Sequence, residues 1–486
     1  MDHCQKEIDL LTRCLILADD QLQQIQSLLM NSFNDGLKRE TNPVAPVKMF
    51  PTFVREVPDE KNKYVEGKFL ALDLGGTNFR VLLIELVGDE LHHETEIYTI
   101  ADELRNGTGE KLFDYIAECI FLFLDKRNLV EFRMPLGFTF SFPCKQEGLN
   151  SARLTTWTKG FKCTGVEGED VVKLLREAID RRNDIEVEVM AIVNDTTGTM
   201  VSCALQNKEC RVGLIVGTGT NACYMETIEN VELYNEDITD VNQVVVNTEL
   251  GAFGDNNVLN FARTRWDHTV DQLSAEPGKQ IFEKMVSGMY LGEIVRCILC
   301  ELTQRRLVFG GKGSVQLMTP KGFKTAYISA IESDSKDDYL YTRQVMAEIG
   351  LRHATQSDYD MVKLICSRIS TRAAHLVSAA VSTILNKMQR PYTTVAVDGS
   401  VYKFHPHFHQ LLEEKTLQLV KPEIKFDIKL SEDGSGRGAA LVAAVATKQD
   451  IQRKISTGNR LAFEPVNRKN SRMELKQFLK SCNETF

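Results

Sequence analysis

The sequence predicts an α/β protein built from two related lobes, and three observations lead to that prediction. The chain has 486 residues, two to three times the length of a typical domain. A short apolar strand, a glycine turn and a second strand occur around Gly75 and again around Gly217. Apolar residues at helical spacing occupy several segments between and after these turns. A supersecondary unit that is used twice indicates two halves of related architecture.

The chain before the first glycine turn is predicted to be a helix and a connector. Residues 8–34 place apolar side chains at roughly helical spacing, which favours a single helix. A connector with four prolines follows, and it leads into the apolar strand Phe69–Leu72. After the turn, residues 79–84 form a second strand. Because a strand follows the glycines, the turn is not the dinucleotide-binding kind, which requires a helix there.

The rest of the chain alternates between predicted helices and strands. Helical periodicity is predicted over 170–181, 279–303, 358–388 and 434–448, and strands are predicted over 185–193, 212–216, 222–225 and 393–397. Residues 449–486 are charged and lack a clear apolar face. We therefore expect that tail to be peripheral.

Composition and charge exclude several classes of protein. Hydrophobic residues make up 43% and charged residues 26% of the chain, ordinary values for a globular protein. The net charge of −9 argues against binding nucleic acid or an anionic membrane by bulk charge. No apolar run reaches the length of a membrane span. The start of the chain lacks a secretory pattern and its 12 cysteines are scattered, which favours reduced thiols in the cytoplasm.

Four glycine-containing segments could bind phosphate groups. Glycine lets backbone N–H groups approach an anion without interference from a Cβ atom. The segments are Asp73–Asn78, Gly217–Asn221, Asp398–Ser400 and Gly434–Gly438, of which the last opens a predicted helix. Their number favours a nucleotide phosphate tail, although none of them is a P-loop.

Carboxylates follow two of the predicted strands. Asp73 and Asp195 each lie at a strand end, where carboxylates are natural partners of Mg²⁺, directly or through water. Asp195 also has an alternative interpretation as a helix N-cap, because the residues after it can begin a helix.

Two other motifs admit a metal-binding interpretation. Cys297 and Cys300 form a CxxC pair inside a helical pattern, so packing in the core is favoured. His405, His407 and His409 alternate around a proline, and a surface loop or strand edge is favoured over a metal site.

Taken together, these segments resemble eukaryotic hexokinases, including glucokinase-type members. The motifs are Leu72–Val81, Phe140–Pro143, Trp157–Phe161, Val193–Thr196, Gly217–Ala222, Asn247–Glu249 and Val397–Tyr402, in the order expected of the family. The resemblance extends over about residues 10–448, and its ordered combination is highly specific. Each motif occurs once, which corresponds to one hexokinase unit. One departure is Leu250, where the family usually has tryptophan.

The resemblance implies a fold and a reaction. The fold is the actin-like (ribonuclease H-like) ATPase fold, with two lobes and a cleft between them. The larger lobe would contain 1–63 and 196–432, the smaller 64–195 and 433–451, and 452–486 would be the tail. The reaction is ATP-dependent phosphorylation of glucose or a related hexose at its 6-hydroxyl, with Mg²⁺ as cofactor. The expected partners are the hexose and Mg-ATP, with no nucleic acid and no membrane, in a monomer or homodimer.

The resemblance also assigns the site residues of this chain. Asp195 would accept the proton of the 6-hydroxyl, and Lys159 would offset charge on the transferred phosphoryl group. The sugar would contact Ser141, Thr158, Lys159, Asn194, Asp195, Asn221, Glu249 and Glu283. ATP would contact Asp73, Gly75, Gly76, Thr77, Asn78, Arg80, Thr218, Gly219, Thr325, Ser329, Gly399 and Ser400. Asp73 and Asp195 would hold the metal through water.

Two rival functions share this fold. A sugar sensor would bind hexose with little turnover, although it would not need to keep a base such as Asp195. An actin- or chaperone-type ATPase would leave the sugar-type cluster unused.

Overall fold

The computed structural model describes residues 3–55, 65–76, 78–87, 90–235, 242–335 and 338–456. The chain divides into two compact units. The first unit contains Met1–Pro51 and Glu209–Glu432, and the second unit contains Thr52–Lys208 and Asp433–Phe486.

The described residues form an α/β protein in which helices and strands alternate along much of the chain. The strands are β1 (Phe50–Pro51), β2 (Gly67–Leu74), β3 (Asn78–Val87), β4 (Glu90–Thr99), β5 (Met134–Phe140), β6 (Cys144–Gly148), β7 (Ser151–Leu154), β8 (Val187–Val193), β9 (Cys210–Val216), β10 (Thr220–Thr227), β11 (Gln243–Asn247), β12 (Tyr392–Asp398) and β13 (Lys425–Leu430). The helices are α1 (His3–Thr12), α2 (Asp19–Leu37), α3 (Asp102–Arg105), α4 (Gly109–Asp125), α5 (Val171–Arg182), α6 (Asp195–Gln206), α7 (Arg265–Gln272), α8 (Ile281–Val286), α9 (Leu291–Gln304), α10 (Val315–Met318), α11 (Thr325–Glu332), α12 (Leu340–Glu348), α13 (Gln356–Met388), α14 (Ser400–Phe404), α15 (Phe408–Leu419) and α16 (Gly434–Ser456). Short 3₁₀ turns occur at Arg13–Leu15, Ile228–Asn230, Leu250–Ala252 and Phe309–Gly311.

The second unit is built on a five-stranded mixed sheet in the order β4-β3-β2-β5-β8. β2 pairs antiparallel with β3, so that Asp73 lies opposite Arg80, and parallel with β5. β3 pairs antiparallel with β4, and β5 pairs parallel with β8. Because β2, β5 and β8 run in the same direction, their carboxyl ends meet at one edge of the sheet.

The first unit repeats this topology in a sheet of order β1-β11-β10-β9-β12-β13. β9 and β10 form the antiparallel pair around the second glycine turn, and β11 joins β10 antiparallel. β12 is parallel to β9 and to β13. Apart from the short edge strand β1, the order and directions match those of the second unit. The prediction that a strand–glycine turn–strand unit is used twice is therefore confirmed.

Each unit has its own hydrophobic core, as expected for separate compact bodies. In the first unit the long helix α13 is buried over most of its length, and α2 packs against it. In the second unit α4 and α5 pack on each other, and their buried faces join the apolar side of the sheet.

Two helices that the sequence predicts as continuous are interrupted in the structure. The segment 8–34 contains the end of α1, a 3₁₀ turn and most of α2, and the backbone is extended at Ile16 and Ala18. The Gln21 side chain accepts a hydrogen bond from the backbone N–H of Ala18 at 3.0 Å and so fixes the start of α2. The segment 279–303 is likewise divided into α8 and α9, with extended backbone at Ser287. Apolar side chains on both sides of each break are buried, so the apolar spacing alone could not reveal the break.

Helix α6 belongs with the C-terminal helix α16 in the second unit. A Cβ atom at Gly438 would lie 1.9 Å from the carbonyl oxygen of Gly198, so these two helices approach at their glycines. This packing keeps residues 196–208 in the second unit, whereas the sequence-based boundary places them in the larger lobe. α16 also continues beyond Lys448, and Ile451 is buried, so the start of the expected tail is part of the fold. Residues 457–486 lie outside the described residues.

The structure shows where the two candidate metal motifs lie. Cys297 is buried in α9, and burial raises the pKa of its thiol to about 11, which disfavours the thiolate that a metal needs. His407 is exposed in the loop between α14 and α15, as a surface loop predicts, and His409 is exposed in the first turn of α15. His405, by contrast, is buried and lies 3.2 Å from a carboxylate oxygen of Glu332. Within the described ranges, no group of three or more His, Cys, Asp or Glu side chains is arranged to hold a metal. None of the helices in those ranges is long and apolar enough to cross a bilayer.

Candidate active site

Asp195 is the first residue of α6, and one residue, Asn194, separates it from the buried strand β8. The N-cap of this helix is Asn194, whose side-chain oxygen accepts hydrogen bonds from the backbone N–H of Thr196 at 3.1 Å and from its hydroxyl at 2.8 Å. The interpretation of Asp195 as the N-cap is therefore wrong by one residue. The Asp195 carboxylate lies at the positive end of the helix dipole, and the residue as a whole is buried.

Lys159 lies beside Asp195 in a constrained backbone conformation. Its φ of 55° is in the left-handed region, which is uncommon for residues with a side chain and often marks functional sites. The Nζ atom donates to the backbone carbonyl of Ser141 at 2.6 Å and lies 3.9 Å from an Asp195 carboxylate oxygen. Both the Lys159 and the Asp195 side chains are 13% exposed. Thus the structure brings Lys159, Ser141 and Asp195 together.

An aromatic cluster holds the segment that carries Thr158 and Lys159. The Trp157 ring contacts Phe142 edge-on at 4.8 Å between ring centroids and stacks on Phe161 at 5.3 Å. The Trp157 indole N–H donates to the carbonyl of Cys163 at 2.9 Å. Trp157 and Thr158 are both buried. The predicted polar turn is therefore anchored by a buried tryptophan, which limits the movement of the lysine after it.

Asp73 lies near the carboxyl end of β2 and is held by partners from two other segments. Its Oδ2 atom accepts a hydrogen bond from the Ser435 hydroxyl at 2.7 Å and lies 3.9 Å from Arg80. Arg80 also pairs with Asp433 at 3.1 Å, just before α16 begins. Burial raises the pKa of Asp73, against the Arg80 charge and the Ser435 hydrogen bond, and the charge of Asp195 raises it further.

The first glycine turn, between β2 and β3, accommodates the lysine stem. A Cβ atom at Gly76 would lie 2.9 Å from Cδ and 3.0 Å from Cβ of Lys159, so glycine is needed for this packing. Gly75 precedes it directly after β2. Thr77 lies outside the described residues, and only the backbone of Asn78 is described, as the first residue of β3.

A hydrogen-bonded chain connects three polar side chains of the first unit. The Asn221 amide donates to the Asn247 side-chain oxygen at 2.8 Å, and the Asn247 amide donates to Glu249 Oε1 at 2.7 Å. Glu249 has a φ of 56° and is 8% exposed. Leu250 follows it in the core, and its backbone N–H donates to the Asn221 side-chain oxygen at 3.2 Å. Leu250 departs from the family pattern in its side chain, but its backbone N–H still binds a member of the polar chain.

Glu283 lies on α8 next to this chain. Its Oε2 atom accepts a hydrogen bond from the backbone N–H of Thr220 at 3.0 Å, one residue before Asn221. Glu283 is 6% exposed. From sequence alone this residue would be taken for an exposed helical glutamate, and only the family resemblance selected it.

The second glycine turn meets two other segments of the first unit. A Cβ atom at Gly399, whose φ is 115°, would lie 2.5 Å from the carbonyl group of Val216. The Gly288 N–H, in the break between α8 and α9, donates to the Gly217 carbonyl at 2.7 Å. The break in the predicted helix therefore lets the backbone reach the glycine turn.

The predicted nucleotide residues of the first unit are connected through this contact. The Thr218 carbonyl accepts from the Met289 N–H at 3.2 Å, and the Thr325 hydroxyl donates to the Gly288 carbonyl at 2.6 Å. Gly219 completes the turn by accepting from the Gly217 N–H. Ser329 lies one turn further along α11, and Ser400 is the exposed first residue of α14.

The structure adds three residues that the sequence analysis did not select. Ser435 binds Asp73, Asn247 links Asn221 to Glu249, and Gly288 contacts the second glycine turn. Asn247 belongs to the family motif Asn247–Glu249, and Ser435 belongs to the glycine-containing segment Gly434–Gly438. Both residues could therefore have been selected from the sequence. Within Gly434–Gly438, Gly438 serves helix packing rather than an open anion site.

Asp73 and Asp195 supply carboxylate oxygens, the donor type that a magnesium ion prefers. Burial is the main cause that raises the pKa of Asp73, and the charge of Asp195 acts in the same direction to a smaller extent. Both residues are 9% exposed, and their oxygens are the ligands that Mg²⁺ prefers. Two carboxylates leave most positions of an octahedral ion to water and substrate oxygens, which is typical of Mg²⁺ in kinases.

Comparison with known proteins places the chain in a family. Two hexokinase family models match residues 7–205 and 211–445. The chain is 47% identical over 445 residues to rat Hexokinase-2, covering 89% of this chain and 47% of that protein. It is 46% identical over 456 residues to mouse Hexokinase HKDC1, covering 93% of this chain and 49% of that protein. The chain thus spans about half the length of the curated relatives it matches.

Two solved hexokinase structures are similar to this chain over nearly their whole length. The structure of hexokinase from Schistosoma mansoni complexed with glucose is 40% identical, with a TM-score of 0.86, and covers 91% of this chain and 98% of that one. A second hexokinase crystal structure is 28% identical with a TM-score of 0.73, and covers 91% and 99%. The α/β fold implied by the resemblance, the actin-like fold of these kinases, is confirmed. Family models, relatives and structures agree, and the chain belongs to the hexokinase family.

Proposed function

We propose that the protein is an ATP-dependent hexose kinase that transfers the γ-phosphoryl group of ATP to the 6-hydroxyl of glucose and related hexoses, as in the first step of glycolysis. The observation that carries the proposal is Lys159 held 3.9 Å from Asp195 at the start of α6. A base and a cation fixed side by side suit phosphoryl transfer, which depends on positioning and electrostatics. The glucose complex of the Schistosoma mansoni relative supports a hexose as substrate.

The proposed sugar site needs groups that both accept and donate hydrogen bonds, because a hexose presents many hydroxyls. Glu249 and Glu283 supply buried carboxylate acceptors, and Asn221 supplies an amide, all within the first unit. Ser141, Thr158 and Asn194 supply further polar groups in the second unit. The assignment of the chain to a larger lobe and a smaller lobe also stays part of the proposal.

The proposed chemical step is an in-line transfer. Asp195 orients the 6-hydroxyl and accepts its proton while the oxygen attacks the γ-phosphorus. The bond from that phosphorus to the bridging oxygen breaks, and ADP leaves with that oxygen. Lys159, anchored by the Ser141 carbonyl, offsets the negative charge on the moving group.

The proposed nucleotide site uses Asp73, Arg80 and the glycine turns at Gly75, Gly76, Thr218 and Gly219. Thr325, Ser329, Gly399 and Ser400 belong to the same proposed site, and Thr77 and Asn78 extend the first turn. Asp73 and Asp195 would hold Mg²⁺ through water, and the ion would neutralise phosphate charge. A cytoplasmic location would suit the cysteines of the described residues, which are present as thiols.

A hexose panel tests the proposal. ADP release is measured at fixed Mg-ATP with glucose, mannose, fructose or no sugar. Sugar-dependent ADP release with formation of a hexose 6-phosphate is expected. Binding of hexose without turnover would favour the sugar sensor, and sugar-independent ATP hydrolysis would favour an actin- or chaperone-type ATPase.

A further inference from the structure

Helix α8 carries Glu283. The side chain of Asp255, a residue outside the predicted site, binds the N-terminus of this helix. Asp255 accepts hydrogen bonds from the backbone N–H of Ile281 at 3.0 Å and of Gln280 at 3.2 Å, one on each carboxylate oxygen. Gln280 is in the left-handed region with a φ of 54°. The first N–H groups of a helix have no partner within the helix, so this carboxylate satisfies groups that would otherwise be unpaired.

A second carboxylate fixes the same helix from its side. Lys284, the residue after Glu283, is buried and donates to Asp271 Oδ1 at 2.7 Å and to the Glu276 carbonyl at 2.7 Å. The other oxygen of Asp271 accepts from Arg263 at 2.9 Å. A lysine held in this way restricts rotation of α8 about its axis.

The position of α8 sets where Glu283 stands relative to the segment after Glu249. A Cβ atom at Gly251 would lie 2.3 Å from the Gln280 side-chain oxygen and 3.3 Å from Glu283 Cβ. The N–H of Phe282 donates to the carbonyl of Phe253 at 3.0 Å. The helix therefore lies closely against the turn that follows Glu249. A helix of six residues has little stability of its own, so its position depends on these anchors.

We propose that Asp255 and Asp271 are positioning residues for hexose binding, which act by holding α8 so that Glu283 and Glu249 keep their separation. This inference rests on the proposed function, because it assigns a role in sugar binding at the same site. Neither carboxylate needs to touch the sugar. Loss of either anchor lets α8 shift, and a shifted Glu283 binds a hydroxyl less well.

The test compares alanine and asparagine variants at Asp255 with a matched control at Asp334. Asp334 is a buried carboxylate of the first unit that accepts from the backbone N–H groups of Tyr341 and Thr342 at the start of α12. Asp334→Ala removes the same kind of interaction at a helix that carries no predicted site residue. Glucose KM, ATP KM and kcat are measured for each variant, together with amide hydrogen exchange over 280–286.

The expected result is a graded rise in glucose KM. Asp255→Ala should raise it by about 2- to 30-fold, the range that loss of a helix cap produces, with ATP KM unchanged. Asp255→Asn keeps one accepting oxygen and should give an intermediate value. Lys284→Met, which breaks the pair with Asp271, should raise glucose KM in the same direction. Exchange over 280–286 should become faster in these variants and not in Asp334→Ala.

Three outcomes would overturn the inference. An unchanged glucose KM in Asp255→Ala, in a wild-type protein that phosphorylates glucose, defeats the inference and leaves the proposed function intact. An equal rise in Asp334→Ala would show that lost stability, not positioning, changes KM. A wild-type protein that neither binds nor phosphorylates any hexose removes the proposed function, and the inference falls with it.

Discussion

At the scale of single residues, the structure separates the helix cap from the proposed base. Asn194 and Asp195 are adjacent, and either side chain could cap a helix. Asn194 makes the capping hydrogen bond, which leaves the Asp195 carboxylate next to Lys159. Asp195 Oδ1 also accepts from the backbone N–H of Thr196 at 2.9 Å, so a substitution that probes the proposed chemistry must keep an accepting oxygen, as asparagine does.

Asp195→Asn is expected to lower kcat by about 10²- to 10⁴-fold, the usual contribution of a general base. The amide keeps the size of the side chain and can still hydrogen-bond to the 6-hydroxyl, so glucose should still bind. Because the carboxylate is also a proposed partner of Mg²⁺, ATP KM is measured alongside. The control is Asp170→Asn, at the N-cap of α5 in the same unit, which should keep wild-type kcat. Asp195→Asn with more than about a tenth of wild-type kcat would contradict the mechanism.

Glu249→Gln and Glu283→Gln are each expected to raise glucose KM by about 10- to 150-fold, because a hydrogen bond to a charged acceptor contributes roughly 1.5–3 kcal/mol. ATP KM should change less. Glu226→Gln serves as the control, since Glu226 is a buried glutamate of the same unit that accepts from Tyr224 at 2.6 Å outside the site. Wild-type glucose kinetics in both site variants would remove these glutamates from the sugar site.

Asp255 should make stability depend on pH. Burial raises its pKa to about 6 from an ordinary 3.8, although the N–H groups of Ile281 and Gln280 and the charges of Lys279 and Lys284 act in the opposite direction. The folded state then binds this proton more tightly than the unfolded state. The contribution of this bound proton to the stability of the folded state is fully present below pH 3.8 and is lost as pH rises through about 6.

Urea unfolding of wild type and Asp255→Asn between about pH 4 and pH 7 checks this prediction. The variant has no ionisable group at this position. As pH rises, the unfolding free energy of the wild type should therefore fall relative to that of Asp255→Asn. A difference that stays constant over the range would show that Asp255 titrates alike in the folded and unfolded states.

At the scale of elements, glycines decide how α6 and α16 meet. Gly198 lies on the helix that begins with Asp195, and Gly438 lies three residues after Ser435, the partner of Asp73. Their close approach couples the placement of both proposed metal carboxylates. The sequence indicates an anion-binding start for α16, whereas the contacts show a packing function for this glycine.

Gly438→Ala is expected to destabilise the protein by about 1–3 kcal/mol, the usual cost of overpacking, because the added methyl would lie 1.9 Å from the Gly198 carbonyl oxygen. kcat should also fall as α6 moves with Asp195. Gly148→Ala is the matched control, since a Cβ atom there meets its nearest atom, Ser151 Cβ, only at 3.9 Å. Thermal unfolding and kcat are compared. Equal melting temperatures for the two variants would contradict the packing argument.

At the scale of the whole molecule, two units with separate cores share one strand topology. The C-terminal helix α16 completes the second unit, where it packs on β2, β5 and α6. This helix extends to Ser456, past the point where the sequence-based tail begins.

Truncation distinguishes the helix from the residues beyond it. Deletion of 457–486 should leave activity largely intact, because no predicted motif lies there. Deletion after Lys448 also removes Ile451, which is 3% exposed, and should lower the melting temperature. Solubility, melting temperature and sugar-dependent ADP release are measured for both. Loss of activity on the shorter deletion would assign a structural role to 457–486.

The sequence by itself determined the local pattern: the strand–glycine turn–strand units, the order of the family motifs and the residue types of the proposed site. The strand–glycine turn–strand units follow from backbone preferences and apolar periodicity, which act over a few residues, whereas the motif order and the site residues came from the family resemblance. Only the tertiary structure decided that Asn194 caps α6, that residues 279–303 break at Ser287, that Ser435 holds Asp73 and that Asn247 joins Asn221 to Glu249. The physical reason is that hydrogen bonds and close glycine contacts between segments distant in sequence depend on three-dimensional packing, which periodicity along the chain does not encode.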